Sequence, residues 1–221
     1  TAQTFQDGYI SVPPSTLAGA NKTFALWFKT TGSGVLLSKN TGQAGTVPVL
    51  SHVPIMYVGT DGKLYAEDWP TAPTNTTFKV NDGLWHHAML SVSTTSQTLY
   101  VDGTKIGTRN GPAHENGWAF NYAYIGTGQQ WAGARPGVVG GWMNFQGEID
   151  EVTIYGAALT DQALFTKTSY EYTNDSTPAF GNAGARPPKW MIDKTTDEYG
   201  RQTVFSYSQG GDLMRVVDAV G

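Results

Sequence analysis

A chain of 221 residues with 14 Lys+Arg against 18 Asp+Glu, 27 glycines and 12% aromatic residues is long enough to bury a core, and it has no Lys/Arg cluster to meet phosphate, so nucleic acid and anionic lipid drop out as partners. The absence of cysteine removes disulfides, thiolate metal sites and a cysteine nucleophile. No apolar run approaches the roughly 18 residues of a membrane span, and the first residues lack the basic and apolar regions of a signal peptide; since Thr1 is not Met and the sequence stops at "VVDAVG", it reads as a piece of a longer protein.

Short alternating runs bounded by Gly, Asn, Asp and Pro predict strands at 9 to 12, 22 to 30, 34 to 39, 55 to 59 and 63 to 67, then at 84 to 93, 97 to 108, 123 to 127 and 147 to 155. Asp-Gly at 61–62 and 102–103 marks two tight hairpins. Many short strands without interleaved helices imply an all-β antiparallel sandwich or barrel. One helix is expected, "LTDQALFTK" at 159 to 167, with Thr160 as N-cap and Asp161 at the positive end. The Pro/Gly-rich run 174 to 189 reads as a linker between a domain at 1 to 173 and a small β-hairpin tail at 190 to 221, too short for a core of its own.

Three carboxylates crowd the strand "GEIDEVTIY". Alternation puts Glu148, Asp150 and Val152 on one face and Ile149, Glu151 and Thr153 on the other. A retaining glycosidase needs two carboxyl groups about 5 to 5.5 Å apart, flanking the scissile bond. The start of the Glu-x-Asp-x-(x)-Glu pattern of family 16 glycosidases is present, but its last carboxylate is replaced by Val152 or Thr153, so no enzyme is expected. His86 and His87 are neighbours on a strand and point to opposite faces, which argues against a shared zinc ion.

"FQDGYISVP", "FALWFKT", "DGLWHHAMLSV", "LYVDGTKIGT" and "GEIDEVTIYGAALT", in that order over about residues 5 to 170, resemble laminin G-like domains of the concanavalin A-like superfamily. The resemblance implies a jelly-roll β-sandwich closed by the short helix, with Trp85 filling the core edge and one histidine bonding the next strand. It also implies a structural calcium held between Asp7 and Asp150. The alternative is that Asp7 makes a turn and Asp150 bonds backbone N–H groups. The tail "DEYGRQTVFSYSQGGDLMRVVDAVG" resembles the first unit of an RHS, or tyrosine-aspartate, repeat. Such repeats belong to large secreted or surface proteins, so an extracellular or cell-surface location is expected.

The insert from Arg109 to Phe145 carries three of the seven Trp. Long loops of this kind are often functional. Trp118, Trp131 and Trp142, beside Asn116, Gln129, Gln130 and Arg135, and Trp69 in "AEDWP", supply the flat aromatic faces and hydrogen-bonding groups that sugars need. These tryptophans equally suit capping the sandwich edge. The function expected is a non-catalytic module that binds a glycan or glycoprotein. The alternative is a spacer that docks on other domains of the same RHS-type chain.

Overall fold

The computed structural model describes residues 2–46, 51–68, 72–111, 120–131, 133, 135–160, 169–174, 176–182, 184–196 and 202–217. It divides into two compact units, residues 1–161 and 162–221.

Among the described residues, unit one contributes fourteen strands in two six-stranded antiparallel sheets and one short ribbon. In chain order they are β1 (Gln3–Phe5), β2 (Ile10–Val12), β3 (Lys22–Lys29), β4 (Gly34–Asn40), β5 (His52–Val58), β6 (Leu64–Ala66) and β7 (Thr74–Asn75). There follow β8 (Trp85–Val92), β9 (Ser96–Val101), β10 (Thr104–Asn110), β11 (Tyr122–Ile125), β12 (Gln129–Gln130), β13 (Gly141–Trp142) and β14 (Gly147–Tyr155). The first sheet runs β1-β14-β3-β8-β9-β10 and the second β2-β11-β4-β5-β6-β7.

The period of two explains the sandwich. In β3, Phe24, Leu26 and Phe28 face inward opposite Leu90, Ala88 and His86 of β8, while Trp27 turns out. The second sheet answers with Val53, Ile55, Val58, Leu64, Ala66 and Ala123, all fully buried in one continuous core. Each such large apolar side chain contributes about 1.5–3 kcal/mol of transfer free energy. Both Asp-Gly hairpins form: Asp102 (φ 50°) and Gly103 (φ 76°) are left-handed, the geometry of a two-residue turn matching strand twist.

The long insert is not a free loop. Beyond Gly126 it crosses the other face of the second sheet, where the Met143 carbonyl accepts from Val35 N–H (3.3 Å) and the Gly137 carbonyl from Thr60 N–H (2.9 Å). Val35, Tyr57, Tyr65 and Met143 make a second apolar cluster there, and Tyr57 donates to the Pro136 carbonyl at 3.0 Å. Gly34 (φ 138°) is required at this crossing, because a Cβ would strike the Asn144 carbonyl and the Phe145 backbone. The strands β1, β7, β12 and β13 were not visible as periodic runs, since two or three residues hold no period.

One strand departs from simple alternation. β14 pairs Asp150 with Trp27 and then Thr153 with Ala25, so a β-bulge inserts an extra residue. The bulge flips the parity: Val152 and Ile154 pack on the core, and Val152 does not share a face with Glu148 and Asp150 as expected.

Unit two is a four-stranded antiparallel sheet in the order β15 (Ser169–Tyr172), β16 (Ile192–Thr196), β17 (Gln202–Tyr207) and β18 (Leu213–Val217). The expected boundary after residue 173 therefore moves to 161/162, and the tail is a four-stranded sheet and not a hairpin. Residues 174–189 are not an open linker: Thr173 and Met191 share a backbone hydrogen bond (2.8 Å), as do Ala179 and Ala185 (3.1 Å) and Phe180 and Tyr207 (2.8 Å). Backbone bonds satisfy this Pro/Gly-rich segment where composition alone suggested solvation. The helix expected at 159 to 167 falls almost wholly outside the described residues.

Candidate ligand-binding site

The end of β12 places Trp131 against the start of β5. Its indole meets the His52 imidazole edge-on, centroids 4.9 Å apart at 78°. Trp131 remains 54% exposed while His52 is only 6% exposed, so the buried histidine seats an accessible aromatic surface. Burial first, and then the Arg135 charge, lower the His52 pKa to about 4, so the imidazole is neutral at physiological pH.

Arg135 is half-buried, its side chain largely covered and ion-paired through Nε to Glu67 Oε1, and its Nη1 donates to Gln130 Oε1 at 3.4 Å. Glu67 and Asp68 extend β6, and alternation sends them to opposite faces. Burial pushes the Glu67 carboxyl upward, opposed by Arg135. Asp68 enters the interior, where Lys22 Nζ (2.7 Å) and Lys39 Nζ (2.6 Å) approach its two oxygens. The Gln97 amide clamps the Asp68 backbone, its Oε1 accepting from N–H at 2.7 Å and its Nε2 donating to the carbonyl at 2.9 Å. This corner fixes Glu67, and Glu67 fixes Arg135.

Among the described residues, three buried polar atoms here lack a hydrogen-bond partner: His52 Nδ1, Gln129 Oε1 and Gln130 Nε2. Each such group costs about 1–3 kcal/mol of desolvation. The neighbourhood of Trp131 thus holds an accessible aromatic surface packed on a buried, polar interior.

Of the other residues expected here, Trp142 is half-buried and committed to the scaffold. Its Nε1 donates to the Thr46 carbonyl (3.0 Å), and its ring lies edge-on to Tyr124 at 6.0 Å. Trp69 and Trp118 lie outside the described residues, as does Asn116. The structure therefore brings together Trp131 and Arg135, and adds His52 and Glu67. His52 stood alone in the sequence, without a neighbour at ligand spacing. Its position across from Asn40 in the β4–β5 pair is what delivers it to the insert.

Asp7 and Asp150 do not share a site. The register Thr4↔Glu148, Phe5↔Gly147 carries β1 away from Asp150 before the chain reaches Asp7. Asp7 lines a depression with Lys29 and Glu148, whereas Asp150 lines another with Trp27, Trp85 and Glu151. Asp150 Oδ1 accepts the Glu151 N–H at 2.9 Å. Calcium requires 6–8 oxygen ligands, and among the described residues no three His, Asp or Glu side chains come together. Asp7 and Asp150 therefore do not hold one ion together.

The Trp-His stretch divides as alternation requires. His86 lies 5.8 Å from Phe28 on the inner side, with Nδ1 2.8 Å from Asp102 and Nε2 3.2 Å from Asp82. His87 lies 5.1 Å from Trp27 on the outer side. Trp85 does not fill the core edge: it sits on the outer face, 38% exposed.

A two-sheet antiparallel sandwich with an aromatic-polar site beneath a long insert is the class of protein that fold and geometry define. Residues 4–164 match the model of the concanavalin A-like lectin/glucanases superfamily, and the chain belongs to that family. Among solved structures it is similar to a putative carbohydrate binding protein from Bacteroides ovatus, at 16% identity over 98% of this chain and 58% of that one, TM-score 0.52. It is also similar to domain 4 of AbnA, an extracellular arabinanase of Geobacillus stearothermophilus, at 18% identity over 73% and 78% of the chains, TM-score 0.46. The sialidase CBM40 of Ruminococcus gnavus aligns at 16% identity over 74% and 96%, TM-score 0.46. At these identities the likeness is one of fold. No curated protein matches the sequence. Among the described residues no helix is long and apolar enough to cross a membrane.

Proposed function

We propose that unit one is a non-catalytic carbohydrate-recognition module whose site centres on Trp131. The observation that carries this reading is an exposed indole seated edge-on against a buried neutral histidine. Apolar sugar faces pack on indole rings, and sugar hydroxyls both donate and accept, which suits an exposed indole in polar surroundings. Membership of a family of lectins and glucanases is consistent with it. The non-catalytic part rests on the strand carboxylates: Glu148 is ion-paired with Lys29 at 3.1 Å and lies in a different depression from Asp150 and Glu151.

The parent protein in this reading is a large extracellular one of RHS type. Supporting it, β18 is an edge strand whose Leu213, Met214, Val216 and Val217 are exposed, a surface that stacked neighbouring repeats cover in such architectures.

A glycan array probed with the chain and with Trp131→Ala tests the binding reading. Signal on a defined glycan class that falls at least about tenfold in the variant supports it. Silence across the array, or signal indifferent to Trp131, points instead to a spacer or docking domain.

A further inference from the structure

The outer face of the first sheet holds a second constellation, on strands β3, β8 and β14. Trp27 and Trp85 are 37% and 38% exposed. They are diagonal neighbours on β3 and β8, since Trp27 pairs with His87 and Lys29 with Trp85, a separation that aromatic side chains bridge. With Asp150 and Glu151 they line a depression of about 340 Å³. We propose that this depression is a binding site for a guanidinium group, as carried by an arginine side chain.

The backbone is what brings the two carboxylates there. Consecutive strand residues normally face opposite ways, but the bulge after Asp150 and the left-handed conformation of Glu151 (φ 49°) let both line one depression. A non-glycine residue in that conformation is uncommon, and such strain gathers at functional positions. Carboxylates only accept hydrogen bonds, so the ligand must bring donors. Among the described residues neither Asp150 nor Glu151 is paired with a cation, because Lys29 is held by Glu148 at 3.1 Å. Burial keeps the pKa of His87, beside Trp27, below its ordinary value, so it adds no positive charge.

These features select one chemistry. A metal ion would make no use of two indoles and would need more oxygen ligands than two side chains give. A neutral sugar would leave two carboxylates uncompensated. A planar guanidinium both stacks on indole faces and offers a fork of N–H donors to carboxylates.

The test is an indole-proton NMR titration of the full chain, with the Trp27 and Trp85 signals assigned from Trp→Phe variants. Three probes are used: N-acetyl-arginine amide, ethylguanidinium and the neutral isostere N-acetyl-citrulline amide. Saturable shifts of both indoles are expected with the arginine probe, at least about tenfold weaker with citrulline and similarly weakened by Asp150→Asn/Glu151→Gln. That double variant changes surface charge alone, and an unchanged melting temperature establishes that it folds. Equal binding of ethylguanidinium shows that the guanidinium head alone carries the affinity, and tighter binding of the arginine probe shows that the rest of the residue adds to it. Equal affinity for arginine and citrulline, indifference to the double variant, or no shift with either guanidinium probe overturns the proposal.

Discussion

Asp68→Asn preserves shape and removes one charge. Asp68 is fully buried between Lys22 Nζ at 2.7 Å and Lys39 Nζ at 2.6 Å, and both lysines are themselves buried. Lys22 keeps its bond to the Leu17 carbonyl (2.8 Å). Removing one partner of a buried ion pair costs about 3–5 kcal/mol. For a unit of this size each kcal/mol is about 2–4 °C of melting temperature, so a fall on the order of 10 °C is expected. Thermal melts followed by circular dichroism read this directly. An Asp68→Asn melt within about 2 °C of wild type would refute the assigned role.

Other consequences are equally open to measurement. Burial acts to lower the His86 pKa, but its hydrogen bonds with Asp102 and Asp82 outweigh this and raise it. A raised folded pKa means the imidazolium stabilises fully below about pH 6.5, with loss as pH rises through the folded value. The stability difference between wild type and His86→Gln should therefore be larger near pH 5.5 than near pH 9, and a constant difference would sink the assignment. Glu67 is a buried carboxyl with a raised pKa, so its ionisation costs stability as pH rises above about 4.3. Arg135→Met removes its counter-charge and should destabilise much more near pH 8 than near pH 5, a gap that pH-dependent melts would show to be absent if the pair is unimportant. Gly34→Ala should cost more than about 2 kcal/mol in urea unfolding, whereas Gly8→Ala, with open space around its Cβ, should cost little.

The parts of this fold legible in the sequence are those where one face is buried and the other is not. β3 and β8 show their inward residues at every second position, and the Asp-Gly turns set where β9 gives way to β10. Where tertiary contact decides, the sequence is mute. The pairing of β12 with β13 rests on two residues a side, and the Gly-rich insert showed nothing to say that it folds over Tyr57 and Tyr65. The bulge in β14 escaped because "IDEVTIY" reads as regular alternation, and the misplacement of Val152 followed. Trp131 and Arg135 were visible through residue type. His52 and Glu67 were not, because their relevance depends on which strand the insert crosses. Trp85 was misplaced for a related reason: a Trp beside a buried histidine on a strand must face away from it.

The central claim, that glycans bind at Trp131, is tested most directly by fluorine NMR of the chain labelled with 5-fluorotryptophan. Its seven indoles are assigned by single Trp→Phe variants and then titrated with a panel of neutral and acidic oligosaccharides. The Trp131 line should shift saturably with at least one sugar, while the Trp27 and Trp85 lines stay still. A panel that moves no line, or moves those of other tryptophans and leaves Trp131 in place, would contradict the account.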